Sequence, residues 1–184
     1  PLQLDVTRLA DITAAVAAAG DVTLLINNAG ISRSSNLLGA DALAAAHAEL
    51  ETNVFGPLAM SRAFAPVLAR NGGGAIINVL SVLSWLTIPR VATYSLSKAA
   101  AWSLTNGLRS ELAAQGTHVL ALHIGFMDTD MAKAVPGPKA SPDDVAALAL
   151  DGVETGLREV LADAISRQIK SGLSEPRAPY LEER

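Results

Sequence analysis

Four short, almost continuous apolar runs constrain the fold of this chain more than any other feature of its sequence. They occupy residues 2–6, 23–27, 75–79 and 118–123. Runs of this length without polar alternation are typical of strands buried on both faces of a sheet. Helical patterns at 6–19, 41–70 and 93–114 connect them, and another follows at 142–161. Because parallel strands need crossovers of this kind, we predict an α/β fold with a doubly wound parallel sheet and helices on both faces.

The amino-acid composition argues against two classes of binding partner. The 184 residues include 14 basic and 18 acidic side chains, for a net charge of −4, without a run of Lys or Arg. Such a surface does not suit a nucleic acid or an anionic membrane, so we expect neither as a partner. The sequence has no cysteine, which excludes disulfides and thiolate metal sites and is consistent with a cytoplasmic location.

The length and continuity of the pattern predict one domain over residues 1–184. Glycines 72–74 stand between a predicted helix and a predicted strand, and we interpret them as a helix-terminating turn. Residues 175–184 contain two prolines and several charges, which indicates a loose tail.

The strongest chemical signal is the pair Tyr94 and Lys98, which lie four residues apart near the start of a predicted helix. Positions four apart share a helical face, and a cation beside a phenol favours phenolate, so we expect a lowered Tyr94 pKa. Ser81 follows a predicted strand, at the sheet edge where α/β proteins bind ligands. Taken separately, the Tyr–Lys pair can be an inert surface pair and Ser81 a turn residue. Together they indicate carbonyl chemistry.

The same residues carry a resemblance to the short-chain dehydrogenase/reductase family. Ile76-Ile-Asn-Val-Leu-Ser81, followed by Tyr94-Ser-Leu-Ser-Lys98, resembles the family's catalytic segment, and further similarity in chain order covers residues 1 to 131. The other similar stretches are Leu4-Asp5-Val6, Leu25-Ile-Asn-Asn-Ala-Gly30, Glu51-Thr-Asn53-Val and Gly125-Phe-Met-Asp-Thr129-Asp-Met.

The resemblance implies a Rossmann-type oxidoreductase that transfers hydride between NAD or NADP and a carbonyl or secondary alcohol. It implies that Tyr94 is the acid/base and that Ser81 orients the carbonyl. Lys98 would lower the Tyr94 pKa and hold the nicotinamide ribose, and Asn53 would stabilise a bent helix and a proton-relaying water. The implied cofactor contacts are Asp5, Asn27, Ala29, Tyr94, Lys98, Met127 and Thr129.

Some of these residues have structural alternatives. Asp5 precedes a predicted helix and can be an N-cap, and Asn53 can be a solvated helix residue. We interpret the amide of Asn28 as a brace between strands and His123 as hydrogen-bonded structure at a strand end. His47 and His118 have no partner at metal-ligand spacing, so no metal site is predicted.

Two departures from the family pattern stand out. Ile124-Gly125 replaces the usual Pro-Gly, which predicts altered loop mobility without loss of function. The family's Gly-rich phosphate turn, with two strands of the expected sheet, is not found in this sequence. We therefore expect the domain to be N-terminally incomplete, with weak cofactor binding and poor stability for these residues alone.

The loop 82–90 is expected to line the substrate pocket, with Ser81, Leu83, Trp85 and Tyr94 as contacts. Its apolar residues favour an apolar substrate, although Trp85 can instead anchor the loop or contact another subunit. Two alternatives remain for the function: a non-catalytic dinucleotide-binding or interaction protein, and an epimerase or dehydratase of the same family.

A homodimer or homotetramer is expected, because two predicted helices are apolar over more than one face. The residues concerned are Val54, Phe55, Leu58, Phe64 and Leu68 on the first helix and Trp102, Leu104, Leu108 and Leu112 on the second.

Overall fold

The computed structural model describes residues 1–182, in which four parallel strands form one sheet in the order β1-β2-β3-β4. This confirms the predicted parallel α/β fold. The strands are β1 Leu24–Asn27, β2 Ala75–Val79, β3 His118–His123 and β4 Glu159–Leu161. The helices are α1 Leu9–Ala18, α2 Ala42–Leu50, α3 Gly56–Arg70, α4 Ala92–Glu111, α5 Pro142–Glu154 and α6 Ala164–Gly172.

Successive residues of each strand point to opposite faces of the sheet, and helices cover both faces. On the first face, Leu25, Ile76 and Val119 pack in one cluster with buried residues of α1, α3 and α4. On the second face, Ile77 and Leu120 pack with residues of α5. Strands buried in this way account for the continuous apolar runs in the sequence.

The edge of the sheet at β1 is less covered than its centre. Ile26 is 50% exposed, and Leu2 and Leu9 are exposed as well. The predicted strand 2–6 is wrong, because residues 1–5 have no regular secondary structure. A strand forms only by pairing, and within residues 1–182 no strand lies beside this segment.

The predicted helix 41–70 is observed as α2 and α3 joined by a π-helical turn, Glu51–Phe55. Glycine and proline follow immediately at positions 56 and 57, where proline is tolerated at the start of α3. Turns of this kind are frequent at functional sites, and this one contains Asn53.

The predicted helix 142–161 is too long. Helix α5 ends at Glu154, and Gly156 has a φ of +71°, a left-handed conformation that stops a helix. The following residues form β4 and then α6, which the sequence analysis did not predict. Helix α6 is capped by Asp163, whose carboxylate accepts a hydrogen bond from the Ser166 N–H.

The glycine turn between α3 and β2 is confirmed. Gly72, Gly73 and Gly74 all have positive φ. A Cβ atom on Gly73 would collide with the backbone of Gly116, and one on Gly74 would collide with the Thr23 carbonyl. Only glycine therefore fits this close approach of three chain segments.

The expectation of a loose tail is wrong for part of residues 175–182. Ala178 is fully buried, and a 3₁₀ turn, Pro179–Leu181, packs beside Gly172. Residues 183–184 of the predicted tail lie outside the described residues. Among residues 1–182, no helix is long and apolar enough to cross a bilayer.

Candidate active site

The carboxyl ends of β1 and β2 converge with the first turns of α4 and with the π-helical turn. Ser81 follows β2, Tyr94 and Lys98 lie in the first two turns of α4, and Asn53 lies in the π-helical turn. The structure therefore brings together the four residues for which the sequence predicted catalytic roles.

Ser81 is held in a fixed turn. Its backbone is extended, and its hydroxyl accepts a hydrogen bond of 3.1 Å from the Leu83 N–H, capping a 3₁₀ turn at residues 82–84. The Ser84 hydroxyl accepts a long hydrogen bond of 3.4 Å from the Ser81 N–H. Against the larger effect of burial, the Ser81 side chain lowers the pKa of Tyr94, which places the two side chains next to each other.

The electrostatics of Tyr94 differ from the sequence-based expectation. Burial and, second to it, the negative charge of Glu49 raise the pKa of Tyr94 to about 12, and the interaction with the Ser81 side chain opposes both. The Lys98 ammonium lies 5.6 Å from the centre of the Tyr94 ring and donates to the Val79 carbonyl at 2.9 Å. The predicted lowering of the Tyr94 pKa is therefore wrong in this state of the protein.

Lys98 is itself perturbed. Burial lowers the pKa of its ammonium to about 8, because desolvation disfavours the charged form. An ammonium has three N–H donors, and the Val79 carbonyl occupies one. Two donors are thus left for a ligand.

Asn53 links three segments of the site. Its amide accepts from the Ile31 N–H at 2.8 Å and donates to the Ile31 carbonyl at 2.9 Å. It also donates to the Ser97 hydroxyl at 2.9 Å, and Ser97 donates to the Tyr94 carbonyl at 2.7 Å. Asn53 is therefore buried and fully engaged, which excludes the alternative of a solvated helix residue.

Glu49 is a site residue that the sequence analysis missed. It is fully buried on α2, and its Oε1 accepts from the Arg33 N–H at 2.6 Å, while its Oε2 has no hydrogen-bond partner. The sequence feature that could have identified Glu49 is its position four residues before Asn53, which places both on one helical face. Both residues hold the loop that follows β1.

A glycine and several polar side chains surround the Lys98 ammonium. A Cβ atom on Gly30 would lie 3.3 Å from Asn53 Oδ1 and 3.8 Å from Lys98 Nζ, so glycine keeps the approach to both polar groups open. Asn27, Ala29, Asn53 and Lys98 line one small cavity at this point. The available donors and the open glycine position are consistent with the predicted nicotinamide cofactor.

Asn28 was predicted to brace neighbouring strands, and this prediction is wrong, because Asn27 has that role. The buried Asn27 amide donates to Asn78 Oδ1 at 2.8 Å and to Ser61 Oγ at 3.2 Å, whereas Asn28 is exposed. Residues 25 and 27 share the buried face of β1, so Asn28 falls outside it. Ala29 is exposed above the small cavity.

Asp5 lies in the N-terminal segment and is exposed. Its carboxylate accepts from the N–H and the hydroxyl of Thr7, and the first of these bonds is the largest cause of its lowered pKa. The N-cap of α1 is Arg8, so the capping alternative for Asp5 is wrong.

Met127 and Thr129 lie on the segment after β3 and are half-buried. The segment forms a short bridge with Ala140. The Asp128 N–H donates to the Ala140 carbonyl, and the Ala140 N–H donates to the Phe126 carbonyl. At its start, the Gly125 N–H donates to Asp163 Oδ2 at 2.8 Å. The segment is therefore anchored at its start, although Ile124 replaces the usual proline.

The loop 82–90 is apolar and largely packed. Trp85 is buried, stacks on His123 and meets Trp102 edge to face, which supports the interpretation of Trp85 as a packing anchor. Leu83 is half-buried. A cavity of about 350 Å³ borders this loop and the Leu96 side of α4, but its lining does not include Ser81 or Tyr94. This cavity therefore lies beside the reacting groups.

Comparison with known proteins agrees with this geometry. The family model described as short chain dehydrogenase matches residues 1–139. A crystal structure of a short chain dehydrogenase from Burkholderia cenocepacia J2315 in complex with NADP superposes with a TM-score of 0.91 at 43% sequence identity. That match covers 96% of this chain and 74% of the Burkholderia chain.

Curated relatives are more distant. Dehydrogenase/reductase SDR family member 7B of Danio rerio is 31% identical over 88% of this chain and 54% of its own length. The 2-(S)-hydroxypropyl-CoM dehydrogenase 3 of Xanthobacter autotrophicus is 35% identical over 76% of this chain and 56% of its own length. The chain thus spans about half the length of these curated relatives.

Proposed function

Because the chain belongs to the short-chain dehydrogenase family, we propose that it transfers hydride between NAD or NADP and the carbonyl or secondary alcohol of an apolar small molecule. The observation that carries the proposal is the interaction of Tyr94 with the Ser81 side chain at the carboxyl end of β2, with the Lys98 ammonium 5.6 Å from the centre of the same phenol ring. The NADP bound by the Burkholderia relative supports the cofactor class.

In this proposal the nicotinamide, when bound, supplies or accepts the hydride. Ser81 donates a hydrogen bond to the substrate oxygen and orients it. Tyr94 donates its proton to the same oxygen during reduction. Its raised pKa keeps the phenol protonated at neutral pH, so the acid is loaded before the substrate binds.

Lys98 and Asn53 have supporting roles beside Ser81 and Tyr94. The two remaining N–H donors of Lys98 would bind ribose hydroxyl groups, next to the opening at Gly30. Asn53 fixes the Tyr94 backbone through Ser97. The cofactor contacts of Asp5, Asn27, Ala29, Met127 and Thr129 stay predictions, and so does the cytoplasmic location.

Turnover can be tested with the purified natural protein. NADH and NADPH are each incubated with a series of ketones of increasing apolar size, and the absorbance of the reduced nicotinamide is followed. We expect it to decrease most rapidly with apolar ketones, and Ser81→Ala to slow this strongly. The exposed serine in Ser174→Ala is the matched control and should leave the rate unchanged.

Other outcomes separate the alternatives. Conversion of a substrate without net cofactor oxidation would indicate an epimerase or dehydratase. Cofactor binding without any turnover across the ketone series and the corresponding alcohols would indicate a binding protein.

A homodimer or homotetramer is the second part of the proposal. Phe55 is 52% exposed and Leu96 on α4 is 42% exposed, which leaves apolar surface on both predicted pairing helices. Other residues named for this role, such as Phe64, Leu68 and Leu108, are buried within the chain. Light scattering at micromolar concentration should give a mass of two or four chains, reduced by Phe55→Arg. A stable monomer would contradict the proposal.

A further inference from the structure

A fully buried histidine lies directly behind Ser81. His123 ends β3, and its Nδ1 lies 3.2 Å from the Ser81 carbonyl oxygen. Because a carbonyl only accepts, Nδ1 is the donor in this bond. The imidazole also stacks on Trp85, with ring centres 3.9 Å apart and an angle of 22° between the planes. The ring is thus fixed in position and in orientation.

The other nitrogen of this ring begins a chain of charged groups. Nε2 lies 3.4 Å from Glu159 Oε1, a long contact, and the Lys170 ammonium contacts the two oxygens of the same carboxylate at 3.0 and 2.9 Å. Lys170 also lies 4.9 Å above the Trp85 ring. The contact with His123, followed by the interactions with Lys170, lowers the pKa of Glu159 to about 2, against the opposing effect of burial. With Nδ1 donating to Ser81, Nε2 can donate to this carboxylate only when both ring nitrogens carry a proton.

These groups come from parts of the chain that sequence patterns did not connect with the site. Glu159 lies on β4 and Lys170 on α6, both beyond residue 139, where the family match ends. The same region holds the other side of the site, because Asp163 accepts a hydrogen bond from the Gly125 N–H. The β4–α6 region therefore contacts the Gly125 backbone directly and the Ser81 backbone only through His123.

We propose that His123, held by Glu159 and Lys170, is a positioning residue that fixes the Ser81 backbone so that the Ser81 hydroxyl meets the substrate oxygen. The proposal rests on the proposed function. Ser81 projects its hydroxyl from the same residue whose carbonyl His123 binds, so a shift of this backbone moves the hydroxyl. Small misplacements of an orienting group lower rates strongly, up to about 10²-fold for 1 Å.

Two substitutions of His123 separate positioning from packing. His123→Leu fills the buried space without a donor, whereas the Nδ2 of His123→Asn can replace Nδ1 as donor to the Ser81 carbonyl. We expect His123→Leu to lower kcat by about 10-fold or more, with the KM for the cofactor within about twofold. His123→Asn should recover most of the lost kcat, and Glu159→Gln should show a smaller loss of the same kind.

A spectroscopic measurement tests the same point without turnover. The ¹³C resonance of the Ser81 carbonyl should move in His123→Leu and return towards the wild-type position in His123→Asn. An unmoved resonance in His123→Leu would overturn the positioning role, and so would an equal loss of kcat in both variants. If the wild type shows no turnover, the proposed function fails, and the Ser81 resonance alone decides this inference.

Discussion

The two sides of Ser81 are built on different principles. On the side facing the substrate, Tyr94 is half-buried and Lys98 is buried, and the pKa values of both are displaced from their ordinary values. Lys98 also has two N–H donors left for a ligand. On the opposite side, His123, Glu159 and Lys170 direct their polar groups mainly at the Ser81 carbonyl and at one another. The first arrangement suits proton transfer and ligand binding, and the second suits support. Substitutions on the two sides should therefore fail in different ways.

The largest effect is expected for Tyr94→Phe. The change removes the proton donor and preserves the packing of the ring, so turnover should fall by about 10²- to 10⁴-fold. Cofactor affinity should stay within a few-fold of the wild type. Single-turnover kinetics and a fluorescence titration measure the two quantities, and near-normal turnover would remove Tyr94 from the mechanism.

Replacement of the lysine on each side of Ser81 should have different effects on cofactor affinity. Lys98→Met should weaken cofactor affinity and lower the rate, whereas Lys170→Met should leave affinity unchanged. In the wild type, affinity should also fall as the pH rises through about 8, because the lowered pKa of Lys98 means that its charge is lost there. Fluorescence titration between pH 6 and pH 9.5 is the measurement, and equal affinity in Lys98→Met would refute ribose binding.

A smaller effect is expected for Glu49→Gln. The variant keeps an acceptor for the Arg33 N–H and removes a negative charge that raises the Tyr94 pKa. The Tyr94 pKa should therefore fall, and the phenolate absorbance of Tyr94 should appear at lower pH in an ultraviolet titration profile. Turnover at neutral pH should change by less than about tenfold. Glu49→Asp retains the charge and serves as control, and an identical profile for wild type and Glu49→Gln would contradict this role.

The smallest effect is expected for the stability of Glu159→Gln. The folded-state pKa of Glu159 is lowered from its usual 4.5 to about 2, so its contribution is present above pH 4.5 and is lost as the pH falls through 2. Because the pair with Lys170 is partly exposed, the loss at pH 7 should be about 1 kcal/mol or less.

Unfolding experiments at pH 7 and pH 3 should show this difference decreasing with acidity. Glu154→Gln, on an exposed residue of the neighbouring helix, is the control and should be neutral at both values. A difference that grows towards low pH would have the wrong sign for this explanation.

The sequence predicted one side of Ser81 far better than the other. Ser81, Tyr94 and Lys98 lie at strand ends and at helical spacings, which are local properties of the sequence. The predicted lowering of the Tyr94 pKa was wrong, because burial and the charge of Glu49 raise this pKa. Both effects depend on tertiary packing. The contacts of His123 join residues 36 and 42 positions apart in the chain, at Glu159 and Ser81.

The fold shows the same division. Strands β1, β2 and β3 followed from continuous apolar runs, and the long helices followed from helical patterns between them. Strand β4 was missed because three residues merge into the helical pattern before them, although Gly156 marked the end of α5. The segment 2–6 has the composition of a strand, but composition does not supply a partner for its hydrogen bonds.

The π-helical turn at Glu51–Phe55 limits how this chain can change length during evolution. Glu49 and Asn53 both hold the loop that follows β1, so loss of a single residue between them would rotate one of them away from that loop. We therefore expect insertions and deletions within residues 49–53 to be more damaging than substitutions at most of these positions. Length variants among relatives should accordingly be found between Ser35 and α2, outside the segment that Glu49 and Asn53 hold.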